Sequence, residues 1–233
     1  MGAGATPDGD KSHVKGHRSR LRDRFLKGGP DALADYELLE LILFLGIPRR
    51  DVKPLAKTLI ARFGSFAGVM SADVESLRRE KGLGDTAIAA IKSVQASALV
   101  LSRAEATGQP ILANWTAVEG YLQGVMGAIP REQFRLLFLD RKNTLIADEV
   151  LSDGTIDHTA VYPREVIRRA LELNAGALIL VHNHPSGDPT PSKGDIAMTR
   201  DLMSACKKVG IDVHDHIIVG KTGQASFKAL GLL

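Results

Sequence analysis

Apolar residues in the first half of the chain recur at the three- and four-residue spacing that is typical of helices. This spacing predicts helices at 36–45, 51–64, 71–82 and 85–106. Asp35 is expected to cap the first of these helices and Ser71 the third, because short polar side chains accept hydrogen bonds from the N–H groups of a first turn. The stretch ATGQP at 106–110 breaks the helical pattern and predicts a domain boundary.

Beyond this boundary the period shortens, and segments rich in β-branched and aromatic residues predict strands. Consecutive antiparallel strands are expected at 133–140, 144–150 and 155–162. Pro163 then opens a helix, and the apolar run ALILV at 177–181 predicts a central, buried strand. A helix at 192–208 and a last strand at 211–220 complete the pattern. Strands that alternate with helices on a mixed sheet indicate an α/β domain.

The predicted organisation has three parts. Residues 1–16 are expected to form a disordered basic tail, 17–107 a small all-helical domain and 111–233 a mixed-sheet α/β domain. Between residues 11 and 28, seven Lys or Arg residues face the single acid Asp23, in a chain whose formal net charge is only +3. This basic segment predicts contact with phosphate or with acidic protein, although a solvated helix end explains the same residues.

Composition also bears on the cellular compartment. Cys206 is the only cysteine, which excludes an internal disulfide framework and a cysteine-based zinc site and favours a reducing cytoplasm. The first residues show no basic-then-apolar signal pattern. The longest apolar run, 38–47, contains Glu40 and is too short to cross a bilayer, so no membrane partner is expected.

His182 and His184 follow the predicted strand at 177–181 and are separated by one residue. In extended backbone, side chains at this spacing point to the same face. The turn-forming sequence PSGDPTP then leads into a helix at Ser192, where Asp195 can complete a His, His, Asp set. Three protein ligands leave one zinc position open for water, as in catalytic sites. The sequence therefore predicts a metal site.

The same residues also allow an interpretation without a metal. Ser192 and Asp195 fit an acidic variant of the capping box that opens many helices. His158, His214 and His216 are each expected to be hydrogen-bonded within the fold, and one of the last two is a candidate for supporting a metal ligand. The metal interpretation is preferred because two histidines share a strand face beside the cap.

Three other classes of enzyme do not fit the sequence. The letters HNH at 182–184 do not indicate the nuclease class of that name, because the named residues of that class lie far apart. A zinc deaminase needs H-x-E and P-C-x-x-C, which a chain with one cysteine cannot supply. The helical H-E-x-x-H of common metalloproteases is absent from the sequence.

The motif H-x-H, seven residues, S, two residues, D, which runs from His182 to Asp195, resembles the JAMM metalloprotease signature. The surrounding text HNHPSGDPTPSKGDI, with YPRE before it and DHIIVG after it, is similar to the RadC branch of bacterial proteins. The N-terminal segments GHRSRLRDRFL, DYELLELILFL and RFGS are similar to the helical domain of that family. The resemblance therefore covers nearly the whole chain.

The resemblance implies a cytidine-deaminase-like α/β fold for a JAMM domain at 111–233, with one zinc ion per chain held by the two histidines and Asp195. It also implies that Ser192 helps to stabilise the oxyanion and that an upstream glutamate is the general base. The family pattern places this base at Glu132 in PREQFRLLFLD, and Glu149 is a rival. The expected activity is zinc-dependent hydrolysis of a peptide or isopeptide bond in a protein or peptide substrate.

The helical domain resembles a helix-hairpin-helix module through Lys81, Gly82 and Gly84. Such a hairpin offers backbone N–H groups to a phosphate and does not recognise bases. Glu80 and Asp85 depart from the pattern, and a simple glycine helix stop explains Gly82 equally well. The alternative function is therefore that of a DNA-associated, non-enzymatic protein whose metal site is structural or vestigial.

Overall fold

A computed structural model of the protein describes residues 11–107, 110–111, 114–154, 161–221 and 223–233. Contacts divide the chain into two compact units, Met1–Ser97 and Ala98–Leu233. The division lies inside a continuous helix, which ends within the stretch predicted as the domain boundary. Residues 1–10 of the predicted tail lie outside the described residues. Among the helices that are described, none is both long and apolar enough to span a membrane.

The N-terminal unit is helical. Its elements are α1 (Lys11–Gly28), a 3-10 turn (Pro30–Ala32), α2 (Asp35–Gly46), α3 (Lys53–Phe63), α4 (Phe66–Ser71), α5 (Val74–Arg78) and the first part of α6 (Asp85–Thr107). Helices α2 to α6 share one apolar cluster, whose fully buried members include Leu39, Leu43, Leu59, Leu77 and Ile91. Because α4 and α5 are too short to be stable alone, this packing is what maintains them.

The prediction that Ser71 caps the third helix is wrong. Ser71 ends α4, and its hydroxyl donates back to the carbonyl of Ala67 at 2.8 Å. The cap of α5 is Asp73, whose carboxylate accepts hydrogen bonds from Ser76 N at 2.8 Å and from Ser76 Oγ at 2.7 Å. The carboxylate of Asp73, which accepts two hydrogen bonds, therefore opens this helix, whereas the Ser71 hydroxyl is used within α4.

The start of α2 differs from the prediction by one residue. Asp35 is the first helical residue, and Ala34 holds the cap position. The N–H of Ala34 donates to the carboxylate of Glu37 at 3.0 Å, so the third helical residue supplies the hydrogen bond that an alanine side chain cannot. Asp35 instead places a negative charge in the first turn, where the helix dipole favours it.

The C-terminal unit contains a mixed sheet and helices. Its elements are α7 (Trp115–Met126), β1 (Glu132–Leu139), β2 (Leu145–Gly154), α8 (Pro163–Glu172), β3 (Ala177–Asn183), α9 (Lys193–Lys207), β4 (Asp212–Val219) and β5 (Gln224–Ser226). The strand order over the described residues is β2-β1-β3-β4-β5. β1 is antiparallel to β2 and β3, β3 is parallel to β4, and β5 is antiparallel to β4. The predicted fold class, a helical region followed by a mixed-sheet α/β domain, is confirmed.

Helix α7 and strand β5 were not among the predicted elements. In α7, the buried residues Val118, Leu122 and Met126 follow helical spacing, so the signal for this helix was present in the sequence. β5 has only three residues and exists through its pairing with β4. In the third predicted strand, residues 155–160 lie outside the described residues, and so does His158.

Helices cover both faces of the sheet. On one face, Val181 of β3 and Leu122 of α7 belong to one apolar cluster. On the other face, Leu180 of β3 packs in a second cluster with Leu202 of α9. Every residue of β3 is buried, as its apolar run predicted. Because side chains alternate along a strand, His182 continues the row of Leu180 toward α9.

Candidate metal centre

The two histidines and the aspartate predicted as ligands lie together at the end of β3. His182 Nε2 is 3.0 Å from His184 Nε2, and Asp195 Oδ1 is 3.3 Å from His182 Nε2. Asp195 Oδ2 is 3.6 Å from His184 Nε2. Among the described residues, this is the one group of three or more His, Cys, Asp or Glu side chains that could hold a metal ion.

The loop after β3 returns the chain toward the histidines because it is anchored to the end of β4. His184 N donates to the carbonyl of Val219 at 3.0 Å, and Lys221 N donates to the carbonyl of Gly187 at 3.3 Å. Gly187 has a φ of +95°, and a Cβ there would lie 3.1 Å from Lys221 Cδ. Glycine is required at this point because a side chain would be strained and would press on Lys221.

The capping box that was the alternative to a metal site is present. Ser192 N donates to Asp195 Oδ2 at 2.7 Å, and Asp195 N donates to Ser192 Oγ at 3.1 Å. The cap uses Oδ2 of the carboxylate, whereas Oδ1 faces His182. The two interpretations are therefore compatible, since the cap holds the carboxylate in the orientation that brings it to the histidines.

A threonine and a further histidine lie behind the candidate ligands. His216 Nε2 is 2.8 Å from His182 Nδ1, and His216 Nδ1 is 2.6 Å from Thr199 Oγ1. The Thr199 hydroxyl also lies 2.6 Å from the carbonyl oxygen of Asp195. His216 was one of two histidines considered for support of a ligand, whereas Thr199 was missed. Its position four residues after Asp195 on a helix was the available signal.

The electrostatics of the site follow from burial and close contacts. Burial raises the pKa of Asp195, but the close approach of the His182 and His184 rings and the hydrogen bond from Ser192 hold that pKa well below its usual range. The adjacent carboxylate of Asp195 raises the pKa of His184; burial opposes this effect, and the charge of Glu132 adds to it. Burial lowers the pKa of His216 well below its usual value, so this ring is neutral.

The two candidate general bases occupy different environments. Glu132 is the half-buried first residue of β1, whose register pairs Phe134 with His182, and its charge acts on His184. Glu149 lies in β2, where both carboxylate oxygens accept from Arg169 at 2.7 Å and 2.5 Å. This ion pair lowers the pKa of Glu149 and engages its carboxylate. The structure thus brings Glu132, and not Glu149, toward the histidines.

Asn183, the residue between the histidines, fixes the chain that leads to Glu132. Its Oδ1 accepts from Gln133 N at 2.9 Å, and its Nδ2 donates to the carbonyls of Ile129 at 3.2 Å and Arg131 at 3.0 Å. Asn183 is almost fully buried, so these bonds satisfy polar groups that lack access to solvent. No motif around Asn183 indicates this role, because it depends on contacts across the sheet.

The predicted phosphate-binding residues of the N-terminal unit form a turn. Gly82 has a φ of +90°, and its carbonyl accepts from Arg50 Nη2 at 2.7 Å. Lys81, Gly82 and Gly84 are exposed. Asp85, at the start of α6, lies 3.3 Å from the guanidinium of Arg78. This geometry is that of a glycine turn between α5 and α6. Contact of this turn with nucleic acid stays a prediction.

Comparisons with known proteins agree with the resemblance drawn from the sequence. Residues 112–232 match the family model of the RadC-like JAB domain, and residues 16–89 match that of the UPF0758 N-terminal region. The chain is 54% identical over 222 residues to a UPF0758 protein of Ruegeria pomeroyi, and the alignment covers 95% of this chain and 99% of that relative. The chain therefore belongs to the RadC-like JAB domain family.

Proposed function

We propose that the protein is a zinc-dependent hydrolase that cleaves a peptide or isopeptide bond in a protein or peptide substrate. The observation that carries the proposal is the convergence of His182, His184 and Asp195 at the end of a buried strand. Two imidazole nitrogens and one carboxylate oxygen form a ligand set typical of catalytic zinc sites, in which a position stays open for water. Membership of the RadC-like JAB family supports the same conclusion.

The arrangement of donors and acceptors fits a cation at the centre of this group. His184 Nδ1 lies 2.7 Å from the carbonyl oxygen of Asp188, which can only accept a hydrogen bond. In the neutral ring, Nδ1 therefore carries the proton, and Nε2 presents a lone pair. Asp195 Oδ2, also an acceptor, lies 3.6 Å from that nitrogen. Two acceptors at this distance are stabilised by a cation between them.

Each remaining residue has a chemical role in the proposed reaction. A bound zinc ion would supply Lewis acidity toward the scissile carbonyl and bring the pKa of a water molecule close to neutrality. Glu132 accepts a proton from the attacking water and passes it to the leaving amine. Ser192 Oγ accepts from Asp195 N, so its hydroxyl hydrogen is left to donate to the oxyanion.

Zinc content tests the metal part of the proposal. Elemental analysis of untagged protein is expected to give about one zinc ion per chain, as in other three-ligand sites, and His184→Ala is expected to lose it. His214→Ala is the matched control, because it removes a histidine that contacts Asn143 Oδ1 and is not a candidate ligand. If wild-type protein stays free of zinc after reconstitution, the proposal is wrong and the cap alone explains Ser192 and Asp195.

Hydrolysis tests the catalytic part. Zinc-loaded protein is incubated with panels of isopeptide-linked and linear peptides, and cleavage is followed by mass spectrometry. Glu132→Gln is expected to keep zinc and lose cleavage by a factor of about 100 or more, the range for a general base. Glu149→Gln is the matched control, and it is expected to keep both. Equal loss in the two variants would contradict the assignment of Glu132.

A DNA-associated role is a separate proposal for the N-terminal unit. It is supported by exposed cationic side chains on α1, Arg20 and Arg22, and by the exposed turn at Gly82. Arg18 is engaged internally, because its guanidinium donates to the carbonyls of Ile47 and Arg50. Salt-dependent binding to duplex DNA that weakens in an Arg20→Ala and Arg22→Ala double variant would support this role; absence of binding at low salt would reject it.

A further inference from the structure

A continuous chain of hydrogen bonds connects one candidate ligand to another through the interior of the protein. It begins at the backbone carbonyl of Asp195, passes through Thr199 Oγ1 at 2.6 Å to His216 Nδ1 at 2.6 Å, and continues from His216 Nε2 to His182 Nδ1 at 2.8 Å. His182, Thr199 and His216 are each at most 1% exposed. Because these side chains have no access to solvent, their donors and acceptors must be satisfied by one another.

The proton positions in this chain can be deduced from its fixed end. The carbonyl of Asp195 only accepts, so the hydroxyl hydrogen of Thr199 lies on that bond. Thr199 Oγ1 then has lone pairs but no hydrogen for His216, and His216 Nδ1 must be the donor of the next bond. A neutral imidazole has one N–H, so His216 Nε2 is an acceptor. His182 Nδ1 consequently carries the proton of that ring.

We infer that Thr199 and His216 are positioning residues that hold His182 in the Nδ1–H form and so direct the bare Nε2 of this ring toward the metal. The inference rests on the proposed function for the identity of the metal, but the proton arrangement rests on the hydrogen bonds and on the neutrality of the fully buried His216 ring. Because His184 is fixed in the same form by the carbonyl of Asp188, both histidines present Nε2 lone pairs to each other across 3.0 Å.

The surrounding packing keeps this chain of bonds in one arrangement. The His216 ring stacks on Phe227 with centroids 4.5 Å apart, and Phe134 lies edge-on at 5.8 Å. The backbone N–H of His216 donates to the buried carboxylate of Asp215 at 2.7 Å. Thr199 and Asp195 are separated by one turn of α9. The Asp195 carboxylate and the Asp195 carbonyl, where the hydrogen-bond chain begins, therefore lie on one rigid element.

The first experiment places the protons directly. Two-dimensional ¹H–¹⁵N NMR of the imidazole nitrogens, on zinc-free protein at alkaline pH, distinguishes Nδ1–H from Nε2–H rings. We expect His182 and His216 both to be Nδ1–H in the wild-type protein and in Thr199→Ser. Thr199→Val, which is nearly isosteric and lacks the hydroxyl, is expected to show a mixture or the opposite form. His182 as Nε2–H in the wild-type protein would overturn the inference.

The second experiment measures the consequence for metal binding. The zinc dissociation constant of Thr199→Val, determined by competition with a chelator, is expected to rise by about 10- to 100-fold, and Thr199→Ser is expected to restore it. Thr58→Val is the matched control, since Thr58 also bonds to the carbonyl four residues earlier, at 3.0 Å, but lies in α3. Unchanged zinc affinity in a folded Thr199→Val variant would overturn the inference.

The two experiments also distinguish this inference from the proposed function. A wild-type protein that binds no zinc but shows both rings as Nδ1–H would leave the proton arrangement correct and the metal assignment wrong. A wild-type protein that binds zinc, but whose His182 is Nε2–H before zinc is added, would leave the metal assignment correct and the proton arrangement wrong. Circular dichroism of Thr199→Val and Thr199→Ser establishes that both variants are folded before either result is interpreted.

Discussion

α5 and α9 begin with the same two residue types in opposite order. In α5, Asp73 is the cap and Ser76 the third helical residue; in α9, Ser192 is the cap and Asp195 the third. Both oxygens of Asp73 accept bonds from Ser76, so its carboxylate is fully used by the cap. Asp195 gives one oxygen to Ser192 N and keeps the other for His182. An acid is available to a metal when it stands at the third position and histidines face it.

The largest effect is expected from a variant that removes the negative charge of Asp195 but keeps its hydrogen bond to Ser192 N. Asp195→Asn retains an oxygen that can accept from Ser192 N, but zinc binding is expected to fall by more than about 100-fold, beyond the range for indirect supports. At zinc 1,000-fold above the wild-type Kd, the wild-type protein gains about 4 kcal/mol of unfolding free energy, whereas a variant that binds at least 100-fold more weakly gains no more than about 1.4 kcal/mol. Urea unfolding with and without zinc measures the difference. An equal zinc-dependent gain in both proteins would contradict the ligand assignment.

A smaller effect is expected from pH in the zinc-free protein. The adjacent carboxylate of Asp195 raises the pKa of His184. This ring therefore adds stability below its unfolded pKa of about 6.5, and that stability is lost as pH rises through the folded pKa. Asp195 has a lowered pKa, so its contribution is present above its unfolded pKa and is lost only in acid. Unfolding midpoints of wild type and His184→Gln should therefore converge as the pH is raised toward alkaline values.

Zinc is expected to reverse that trend. The metal binds the unprotonated imidazole, so zinc-dependent stability increases with pH over the same range. Midpoints measured at several pH values with excess zinc should diverge between wild type and His184→Gln as pH rises. A difference that shrinks with pH in the presence of zinc would mean that His184 does not bind the metal.

The caps themselves are expected to be equal in energy. Asp73→Ala and Ser192→Ala should each cost about 1 kcal/mol of unfolding free energy, the usual value for a lost N-cap. Ser192→Gly should cost only a few tenths of a kcal/mol, yet it lacks the hydroxyl as completely as the alanine variant. The urea midpoint of the glycine variant reports the capping role of Ser192, and its rate of hydrolysis reports the oxyanion role. Full hydrolysis by Ser192→Gly would exclude the oxyanion role.

The sequence was informative where the signal is local and poor where it depends on sheet contacts. The apolar run of β3, followed by two histidines, gave the buried strand and the residues that converge at its end. The prediction for Ser71 failed because its hydroxyl donates back into α4, whereas the carboxylate of Asp73 accepts from the first turn of α5. Only the folded chain shows which of the two polar side chains opens the helix. The partners of Asn183 and His216 lie on other elements of the fold, so no spacing within one segment could reveal them.

The smallest expected effect comes from freeing a carboxylate oxygen where no histidine is present. Ser76→Ala removes the hydroxyl bond to Asp73 Oδ2 and leaves the backbone bond to Oδ1 intact, so α5 should lose no more than about 0.5 kcal/mol, as for most surface changes. Asp73 would then have a cap oxygen and a free oxygen, as Asp195 does. Zinc content should remain that of the wild-type protein, because among the described residues Asp73 belongs to no group of three potential metal ligands. Additional stoichiometric zinc in Ser76→Ala would show that an acid at a helix start suffices, and the histidines would no longer be what distinguishes α9.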